Sequence, residues 1–597
     1  MTKILEDPHS EYVRRLKALQ EVAERLEERH VAFGNAQLAV TVTAAFAAWM
    51  AFGRHWFSGL WLLVPAAIFV TLAALHSRVL RARRHGERSA AFYEKGLARL
   101  EDRWHGQGDG GTRFSDSTHP YAEDLDLFGP GSLFELVSTA RLRTGEETLA
   151  RWLLGPAPIE ELRLRQAAVE ELRPRLDLRE DLALTGEDAN SAINPGPLAK
   201  WAEQPIVLES RAVRTAAEAL AALSAAGAAI WAVFGIPEAF LIVLAIEAGI
   251  FFKLRARVLR VIHAVGEPAY GLALFSEVLA RFEREKFRSP HLAARQKQLT
   301  PDGVPPSHRI ARLNRLMELL DSSEHWVLRL IDLPLLYRVQ LAFAIEAWRK
   351  KSGSHVRRWL AAAGEMEALC SFANYAYEHP EDVYPEFTDQ SPCYEGEALA
   401  HPLLPESRAV RNDVRLCGGS RALVVSGSNM SGKSTLLRTA GINAVLALAG
   451  APVRARSLRL SPLAVGASIR TMDSLKGGTS RFYTEITRLR KLMDLAKGSP
   501  PLLFLLDELL QGTNSHDRRI GAEAVVRGLV EFGAIGLVTT HDLALAIIAD
   551  VLAPRAQNVH FEDHLENGKI TFDYRLRPGV VRKSNALELM RSVGLEV

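Results

Sequence analysis

Two long apolar runs dominate the N-terminal part of the chain. Residues Ala36–Phe52 and Trp56–Leu75 contain no charged side chain, and only three residues separate them. A helix needs about 20 predominantly apolar residues to cross the hydrocarbon core of a bilayer. The pattern therefore predicts a transmembrane helical hairpin over residues 36–78, preceded by a cytoplasmic helix over residues 1–35. The alternative for each run is a buried core helix.

A second, weaker pair of apolar runs lies within residues 215–253. Ala219–Pro237 is uncharged but rich in alanine, whereas Ala239–Phe252 is shorter and contains Glu247. We predict a second hairpin here, with its turn at Pro237 and Glu238. Glu247 has two interpretations: a functional carboxylate inside the membrane, or a tolerated one that packs between helices or lies near a helix end.

Basic residues cluster at the outer ends of both hairpins, and almost none lie in the turns. By the positive-inside rule, the ends of both hairpins face the cytoplasm. We therefore predict a multi-pass protein of the cell membrane (the inner or plasma membrane) whose soluble parts lie on the cytoplasmic side. The flanking basic residues are Arg14, Arg15, Lys17, Arg25, Arg29, Arg78, Arg81, Arg83, Arg84, Arg211, Arg214, Lys253, Arg255, Arg257 and Arg260.

Outside the hairpins the pattern changes to that of soluble helices. Residues 120–210 and 254–385 show apolar positions at helical spacing, as in Arg309–Leu320. Leu328–Trp348 is long and apolar but is interrupted by charged residues, so we predict a buried helix there rather than a fifth span. From residue 386 to 597, short apolar runs precede helical patterns. The predicted fold is multidomain, with all-α membrane hairpins and helical segments followed by an α/β domain.

Composition adds little to this picture. A chain of 597 residues is too long for one core, and 48% hydrophobic with 24% charged residues excludes a disordered or collagen-like protein. The net charge of +3 predicts no particular partner. Three cysteines, Cys370, Cys393 and Cys417, form no CxxC pair, which argues against a disulfide framework or a zinc site and fits a reducing compartment.

The strongest chemical signal follows the β-branched run Ala422–Ser426. The next residues fit the pattern GxxxxGK[ST], and the apolar helical pattern Leu436–Leu448 comes after them. In such a strand–loop–helix unit the backbone N–H groups face phosphates, while Lys433 neutralises their charge and the Ser434 hydroxyl ligates Mg²⁺. We predict that a nucleotide binds here. The predicted binding residues are Gly427, Ser428, Asn429, Met430, Ser431, Gly432, Lys433, Ser434 and Thr435.

Two further strand ends carry catalytic candidates. The apolar run Leu502–Leu506 ends in Asp507 and Glu508, and Ala534–Thr539 is soon followed by His541. Asp507 is suited to hold Mg²⁺, Glu508 to deprotonate the attacking water, and His541 to contact the γ-phosphate. Solvated acids and an ordinary loop histidine are the alternatives. Because ligands bind at the carboxyl ends of parallel strands, we expect these side chains to converge.

Residues Ser426–Asp550 resemble the ATPase of the MutS family, a branch of the ABC-type ATPases. The loop itself is similar to that family's version, and three more motifs follow in order. Asp473–Phe482 resembles the signature segment, Gln511–Asp517 the D-loop, and Thr539–His541 the histidine switch. The resemblance implies an ABC-type P-loop ATPase domain over residues 386–597.

The resemblance also implies a homodimer with composite sites. Lys433 of one protomer would hold ATP, while Gly478 and Ser480 of the other protomer would cap its γ-phosphate. Upstream, Leu133–Leu172 resembles the start of the family's core domain, whose helices act as levers. Downstream, Asn558–Leu595 resembles the strand and helix that close the ATPase.

Departures from the family pattern leave two functions open. A charged helix and the first apolar pair stand where a mismatch-repair member has its mismatch-reading domain. In place of a DNA clamp there is only the basic stretch Phe282–Pro306, and Ala409 or Val410 stands where an aromatic residue would contact adenine. One function is a membrane-anchored MutS-type ATPase that engages DNA in repair or recombination. The other is a membrane-bound mechanochemical switch that acts on a protein or lipid partner without DNA.

Overall fold

The computed structural model describes residues 7–54, 56–190, 194–300, 302–323, 332–390, 392–469, 481–566 and 569–581. The chain divides into two compact units, with the boundary after Trp104. The first unit is helical. The second begins with helices and ends in an α/β domain with two sheets, which confirms the predicted order of a helical region followed by an α/β domain.

Two antiparallel helices build the first unit. Helix α1 spans Pro8–Ala48 and helix α2 spans Leu63–Leu100, with a π-helical turn at Trp49–Gly53 and a 3₁₀ turn at Gly59–Leu62 between them. At the open end the rings of Tyr12 and Tyr93 pack 5.6 Å apart. Towards the tip the large apolar side chains are exposed instead. They include Leu38, Val42, Phe46, Trp49, Phe52, Trp56, Leu60, Trp61, Leu63 and Val70.

Ten further helices precede the sheets of the second unit in the described part of the chain. The shorter ones are α3 (Leu133–Val137), α4 (Arg143–Leu154), α5 (Ile159–Leu172), α6 (Leu176–Asn190), α7 (Pro195–Glu203), α10 (Pro290–Leu299) and α11 (Pro306–Ser322). The two that cover the second predicted hairpin are α8 (Arg211–Phe234) and α9 (Glu238–Arg284). A long helix, α12 (Tyr337–Glu378), follows them.

Helices α8 and α9 pack closely through small residues and one acid. A Cβ atom on Gly227 would lie 3.0 Å from the Cα of Phe240, so only glycine permits this approach. Glu247 is buried between the helices, and its Oε2 accepts a hydrogen bond of 2.7 Å from the Ser224 hydroxyl. This position agrees with the second interpretation of Glu247, that of a tolerated carboxylate packed between helices.

Among the described residues, three helical stretches are long and apolar enough to cross a membrane. They are Pro8–Gly53, Gly59–Leu100 and Arg211–Phe234. Helix α9 is not among them, because its apolar run is short, contains Glu247 and is followed at once by Lys253 and Arg255. The fourth predicted span, Ala239–Phe252, therefore stays a prediction.

Helix α12 departs from the predicted helix over Leu328–Trp348. It begins only at Tyr337, after a turn in which Leu336 has a φ of +44°, and residues 328–331 lie outside the described part.

Glu367 of helix α12 is buried and accepts hydrogen bonds from the N–H groups of Arg141 and Leu142, just before α4. Burial raises the pKa of Glu367 to about 8. A side chain of the long helix thus binds the backbone just before α4, 225 and 226 residues earlier.

The α/β domain contains a small and a large sheet. The small sheet has the order β1–β5–β2–β3, and the large one β10–β9–β4–β8–β7–β6, in which only β10 runs antiparallel to its neighbour. The strands are β1 (Glu386–Phe387), β2 (Tyr394–Leu399), β3 (Asn412–Leu416), β4 (Ala422–Ser426), β5 (Ser457–Leu460), β6 (Ala464–Ser468), β7 (Leu502–Leu506), β8 (Ile535–Thr540), β9 (Ala556–Glu566) and β10 (Lys569–Pro578). The helices are α13 (Lys433–Ala449), α14 (Arg481–Ala496), α15 (Ser515–Glu531) and α16 (Ile547–Val551). Strands β4 and β7 have the predicted bounds.

The small sheet contains a disulfide that the cysteine count did not predict. Tyr394 of β2 pairs with Leu416 of β3, which sets the neighbouring Cys393 and Cys417 opposite each other with their Cα atoms 4.3 Å apart. The pairing arises from strand register, and a spacing of 24 residues does not reveal it. Cys370 is buried and free.

Candidate functional site

The loop between β4 and α13 forms one wall of the site. Gly432 precedes α13 with a φ of +100°, in the left-handed region that favours glycine. Gly427 is required by space, because a Cβ atom there would lie 2.7 Å from the Ser431 hydroxyl. No side chain caps the N-terminus of α13, so its first N–H groups are available to an anion.

Lys433 occupies the centre of this loop. Its side chain is only 4% exposed, and its Nζ donates hydrogen bonds to the carbonyls of Gly427 and Ser428 at 3.0 and 2.7 Å. The same nitrogen lies 3.7 Å from Oε1 of Glu508. Burial lowers the pKa of Lys433, while the charges of Glu508 and Asp507 oppose that shift. The loop therefore holds a partly desolvated positive charge beside two carboxylates.

The two carboxylates arrive at the end of β7. The Thr539 hydroxyl, at the end of the neighbouring strand β8, donates a hydrogen bond to Asp507 and accepts one of 3.2 Å from the N–H of Glu508. Nδ1 of His541 lies 3.3 Å from Oε1 of Glu508, and the amide of Gln511 donates to the same carboxylate. The convergence expected from parallel strand ends is thus present around Glu508.

A cavity of about 930 Å³ opens from this cluster. Of the predicted site residues, its walls include Asn429, Met430, Gly432, Lys433, Ser434, Thr435 and Glu508. The walls do not include Gly427, Ser428 and Ser431, which build the back of the loop, or Asp507 and His541, which contact Thr539 and Glu508. Gly478 and Ser480 lie outside the described residues.

The cavity walls also include residues from outside the loop and the Asp507–Glu508 turn. Ala409 and Val410 are there, as the family comparison of the sequence placed them, together with His401, Phe561 and Tyr574. A Cβ atom on Gly432 would lie 3.1 Å from the ring of Tyr574, so that ring stands directly over the loop. Tyr574 lies within a bulge of β10, some 140 residues after Lys433. It belongs to the stretch Asn558–Leu595, whose resemblance to the family predicted a closing strand but no contact of Tyr574 with the site.

The backbone of Tyr574 is held by a single side chain from β3. The amide of Asn412 donates to the Tyr574 carbonyl at 2.9 Å and accepts a hydrogen bond from the N–H of Leu576 at 2.7 Å. Tyr574 has a φ of +53°, Met430 of +70° and Glu508 of +47°. Three of the eight non-glycine residues with positive φ in the described part of the chain therefore line one cavity. Such strain costs about 1–3 kcal/mol per residue and concentrates at functional sites.

These donors suit a nucleoside triphosphate with a divalent cation. The uncapped helix N-terminus and Lys433 supply positive charge for phosphates, and the Ser428 hydroxyl is buried without a hydrogen-bond partner. Ser434 and Asp507 supply the hydroxyl and carboxylate oxygens that Mg²⁺ prefers. The residues present therefore fit Mg²⁺ and a triphosphate.

Comparison with known proteins identifies the same part of the chain. Residues 423–596 match the family model of MutS domain V. The DNA mismatch repair protein MutS of Natronomonas pharaonis is 32% identical over 238 residues, which is 39% of this chain and 27% of that protein. The DNA mismatch repair protein msh3 of Aspergillus fumigatus is 34% identical over 242 residues, or 38% and 21% of the two chains. Endonuclease MutS2 of Thermomicrobium roseum is 34% identical over 208 residues, or 33% and 25%. The chain spans about a quarter of the length of these relatives.

We expect the Tyr574 ring to provide the stacking surface for the base. Substituting Tyr574→Ala should weaken the binding of ATP about tenfold, because stacking on an aromatic ring contributes about 1–3 kcal/mol per base. Tyr574→Phe keeps the ring and should bind as the wild type does. Titration with a fluorescent ATP analogue measures both affinities. Equal affinity of the Ala and Phe variants would contradict this role.

Proposed function

Because residues 423–596 belong to the family of MutS domain V, we propose that this chain is a membrane-anchored ATPase. It hydrolyses ATP as a homodimer, and the ATPase cycle moves helices that engage DNA. The observation that carries the proposal is the single cavity in which the loop of Lys433 meets the carboxylate of Glu508.

Each site residue has a distinct role in this proposal. ATP supplies the bond that is broken, and Mg²⁺ offsets the phosphate charge. Lys433 neutralises the phosphates, while Ser434 and Asp507 hold the cation. Glu508 accepts the proton of the attacking water. The neighbouring side chain of His541 orients the Glu508 carboxylate. Gly478 and Ser480 of the second protomer complete the site, so each active site requires two chains.

Replacing Glu508→Gln should leave ATP bound but not hydrolysed. The amide keeps the shape of the side chain and cannot accept a proton, so we expect the hydrolysis rate to fall at least about 100-fold. The ATP-bound dimer should then persist, because the two ATPase domains separate only after ATP is hydrolysed. Phosphate release and size-exclusion chromatography with ATP measure the two effects.

The matched control for this variant is Glu531→Gln. Glu531 is exposed at the end of α15, away from the cavity lining, and its replacement should change neither the rate nor the dimer. Hydrolysis at the wild-type rate by the Glu508→Gln variant would contradict the catalytic assignment.

Exposed apolar side chains support the proposed membrane anchor. At the tip of the first unit, Trp56 is 72% and Leu60 73% exposed to the surroundings, and Trp49 lies beside Arg54. Tryptophan and arginine are typical of a membrane–water boundary, and burying such side chains in lipid stabilises them by about 25 cal/mol per Å². We propose that the tips of both hairpins lie outside the cytoplasm and the ATPase inside.

The topology can be tested with single cysteines in a cysteine-free chain. In right-side-out vesicles, a membrane-impermeant maleimide should label Ser58→Cys at the tip of the first hairpin and Glu238→Cys at the tip of the second. Ser10→Cys, near the start of α1, is the control and should react only after the vesicles are permeabilised. Labelling of Ser10→Cys but not of Ser58→Cys in intact vesicles would show the opposite orientation of the first hairpin.

The basic stretch Phe282–Pro306 is the part of the chain that we propose to contact DNA. Arg284, Lys286 and Lys297 are exposed, whereas Arg295 is paired with Glu365 at 2.8 Å. Each phosphate contact that releases a counterion steepens the dependence of affinity on salt by about 0.9 on a double logarithmic scale. The exposed cations therefore predict a measurable salt slope.

Titration of the full chain with duplex, mismatched and branched DNA at several salt concentrations tests this. We expect the triple variant R284A/K286A/K297A to weaken binding and reduce the slope by about 3. The control R415A/R456A/R459A removes three exposed cations from the small sheet and should leave the slope unchanged. No binding of any DNA at low salt, with or without ATP, would reject the DNA role. The second function, a switch acting on a lipid or protein partner, is favoured by the exposed apolar helices and would then stand.

A further inference from the structure

A short segment that follows the first hairpin along the chain is built into the α/β domain. In this segment, Tyr121–Leu127, the side chains of Leu125 and Leu127 are fully buried. Leu125 packs on α13, where a Cβ atom added to Gly441 would lie 2.6 Å from its Cδ2. The Pro120 carbonyl just before the segment accepts a hydrogen bond of 2.9 Å from the N–H of Ala467 in β6. These contacts join residues more than 300 positions apart.

Asp124 of this segment contacts both the end of strand β6 and helix α14. Its carboxylate, which is fully buried, accepts a hydrogen bond of 2.8 Å from the N–H of Ile469, directly after β6. The guanidinium of Arg488, on helix α14, pairs with the same carboxylate at 2.9 and 3.3 Å. One side chain therefore joins the end of strand β6 to helix α14.

The same strand and helix also contact the catalytic turn. The carbonyl of Ser468, next to Ile469, accepts a hydrogen bond of 2.9 Å from the N–H of Asp507. Glu485 of α14, one turn before Arg488, is buried and accepts a hydrogen bond from the N–H of Leu510. Asp124 is thus two contacts away from the Asp507–Glu508 pair.

Asp126 makes a corresponding contact with the phosphate loop helix. Its Oδ2 lies 2.6 Å from Nη1 of Arg438, which is on α13 little more than one turn after Lys433. Asp126 has a φ of +52°, a strained conformation that persists only where the surrounding structure holds it. Asp124 therefore contacts the strand and helix beside the Asp507–Glu508 turn, and Asp126, two residues later, contacts the helix that begins at Lys433.

We propose that Asp124 and Asp126 are positioning residues for ATP hydrolysis. Asp124 acts through Ile469 and Arg488 on the strand and the helix that contact the Asp507–Glu508 turn, and Asp126 acts through Arg438 on helix α13, which begins at Lys433. A buried carboxylate must keep its partners, because removing one of them leaves an uncompensated charge. This inference rests on the proposed function.

The test separates binding from turnover in the full chain. Asp124→Asn should lower kcat about tenfold and change KM for ATP by less than about twofold. Asp126→Asn should raise KM about fivefold, because α13 carries Lys433. Asp116→Asn is the control: Asp116 lies in the same region of the chain, and its Oδ1 accepts hydrogen bonds from the N–H and the hydroxyl of nearby Thr118 at 2.8 and 2.7 Å. A merely structural role would change unfolding and would not divide the two constants between the two acids.

Two further variants keep the test informative if Asp124→Asn does not fold. Arg488→Lys keeps the charge but loses the paired geometry, and should lower kcat about threefold. In double-mutant cycles, D124N/R488Q and D126N/R438Q should be no worse than their single variants. Additive losses in both cycles would overturn the proposal.

Hydrogen exchange distinguishes failure of this inference from failure of the proposed function. Asp124→Asn should speed amide exchange in β6 and α14 without ATP, and Asp116→Asn should not. If the wild type hydrolyses no ATP but this exchange still quickens, the ATPase proposal fails and the contact stands. If the wild type hydrolyses ATP and Asp124→Asn matches Asp116→Asn in kcat, KM and exchange, positioning by Asp124 is wrong.

Discussion

The buried ammonium group of Lys433 is the constraint on which the rest of the site depends. A charge removed from water must be compensated by hydrogen bonds and opposite charge. Here the carbonyls of Gly427 and Ser428 supply the first, and Glu508 supplies the second. The loop follows β4, Glu508 follows β7, and the neighbouring strand β8 supplies Thr539. Because side chains alternate along a strand, a shift of one residue in this register would separate the charges.

Local motifs were predictable from the sequence, and contacts between distant segments were not. The loop and the bounds of β4 and β7 follow from adjacent residues, since a β-branched run, two glycines and a lysine together form one structural unit. Tyr574 and Asp124 could not be identified in this way. Tyr574 reaches the cavity through a bulge held by Asn412, which is 162 residues earlier, and Asp124 meets Arg488 across 364 residues.

For the helices, too, the sequence predicted some features and not others. Apolar runs predicted where helices α1, α2 and α8 lie, because uninterrupted apolar sequence has few other structures available. They did not predict where α9 ends. That helix continues from Phe252 to Arg284, and Phe275, Leu279 and Phe282 are buried in this part. Amphipathic spacing extends the helix after the apolar run has ended, so hydropathy marks the start of the element but not its length.

The continuity of α9 has a mechanical consequence. Its 47 residues extend for about 70 Å, from the predicted second hairpin to helices α6, α11 and α12, against which it packs. A continuous helix transmits rotation along its length, whereas a proline in its interior removes one backbone hydrogen bond and permits bending. Pro268 lies on the soluble side of the apolar run. Movement of the helices that pack beyond Pro268 therefore reaches the predicted hairpin through a helix that can bend at Pro268. Movement of the part before Pro268 reaches it directly.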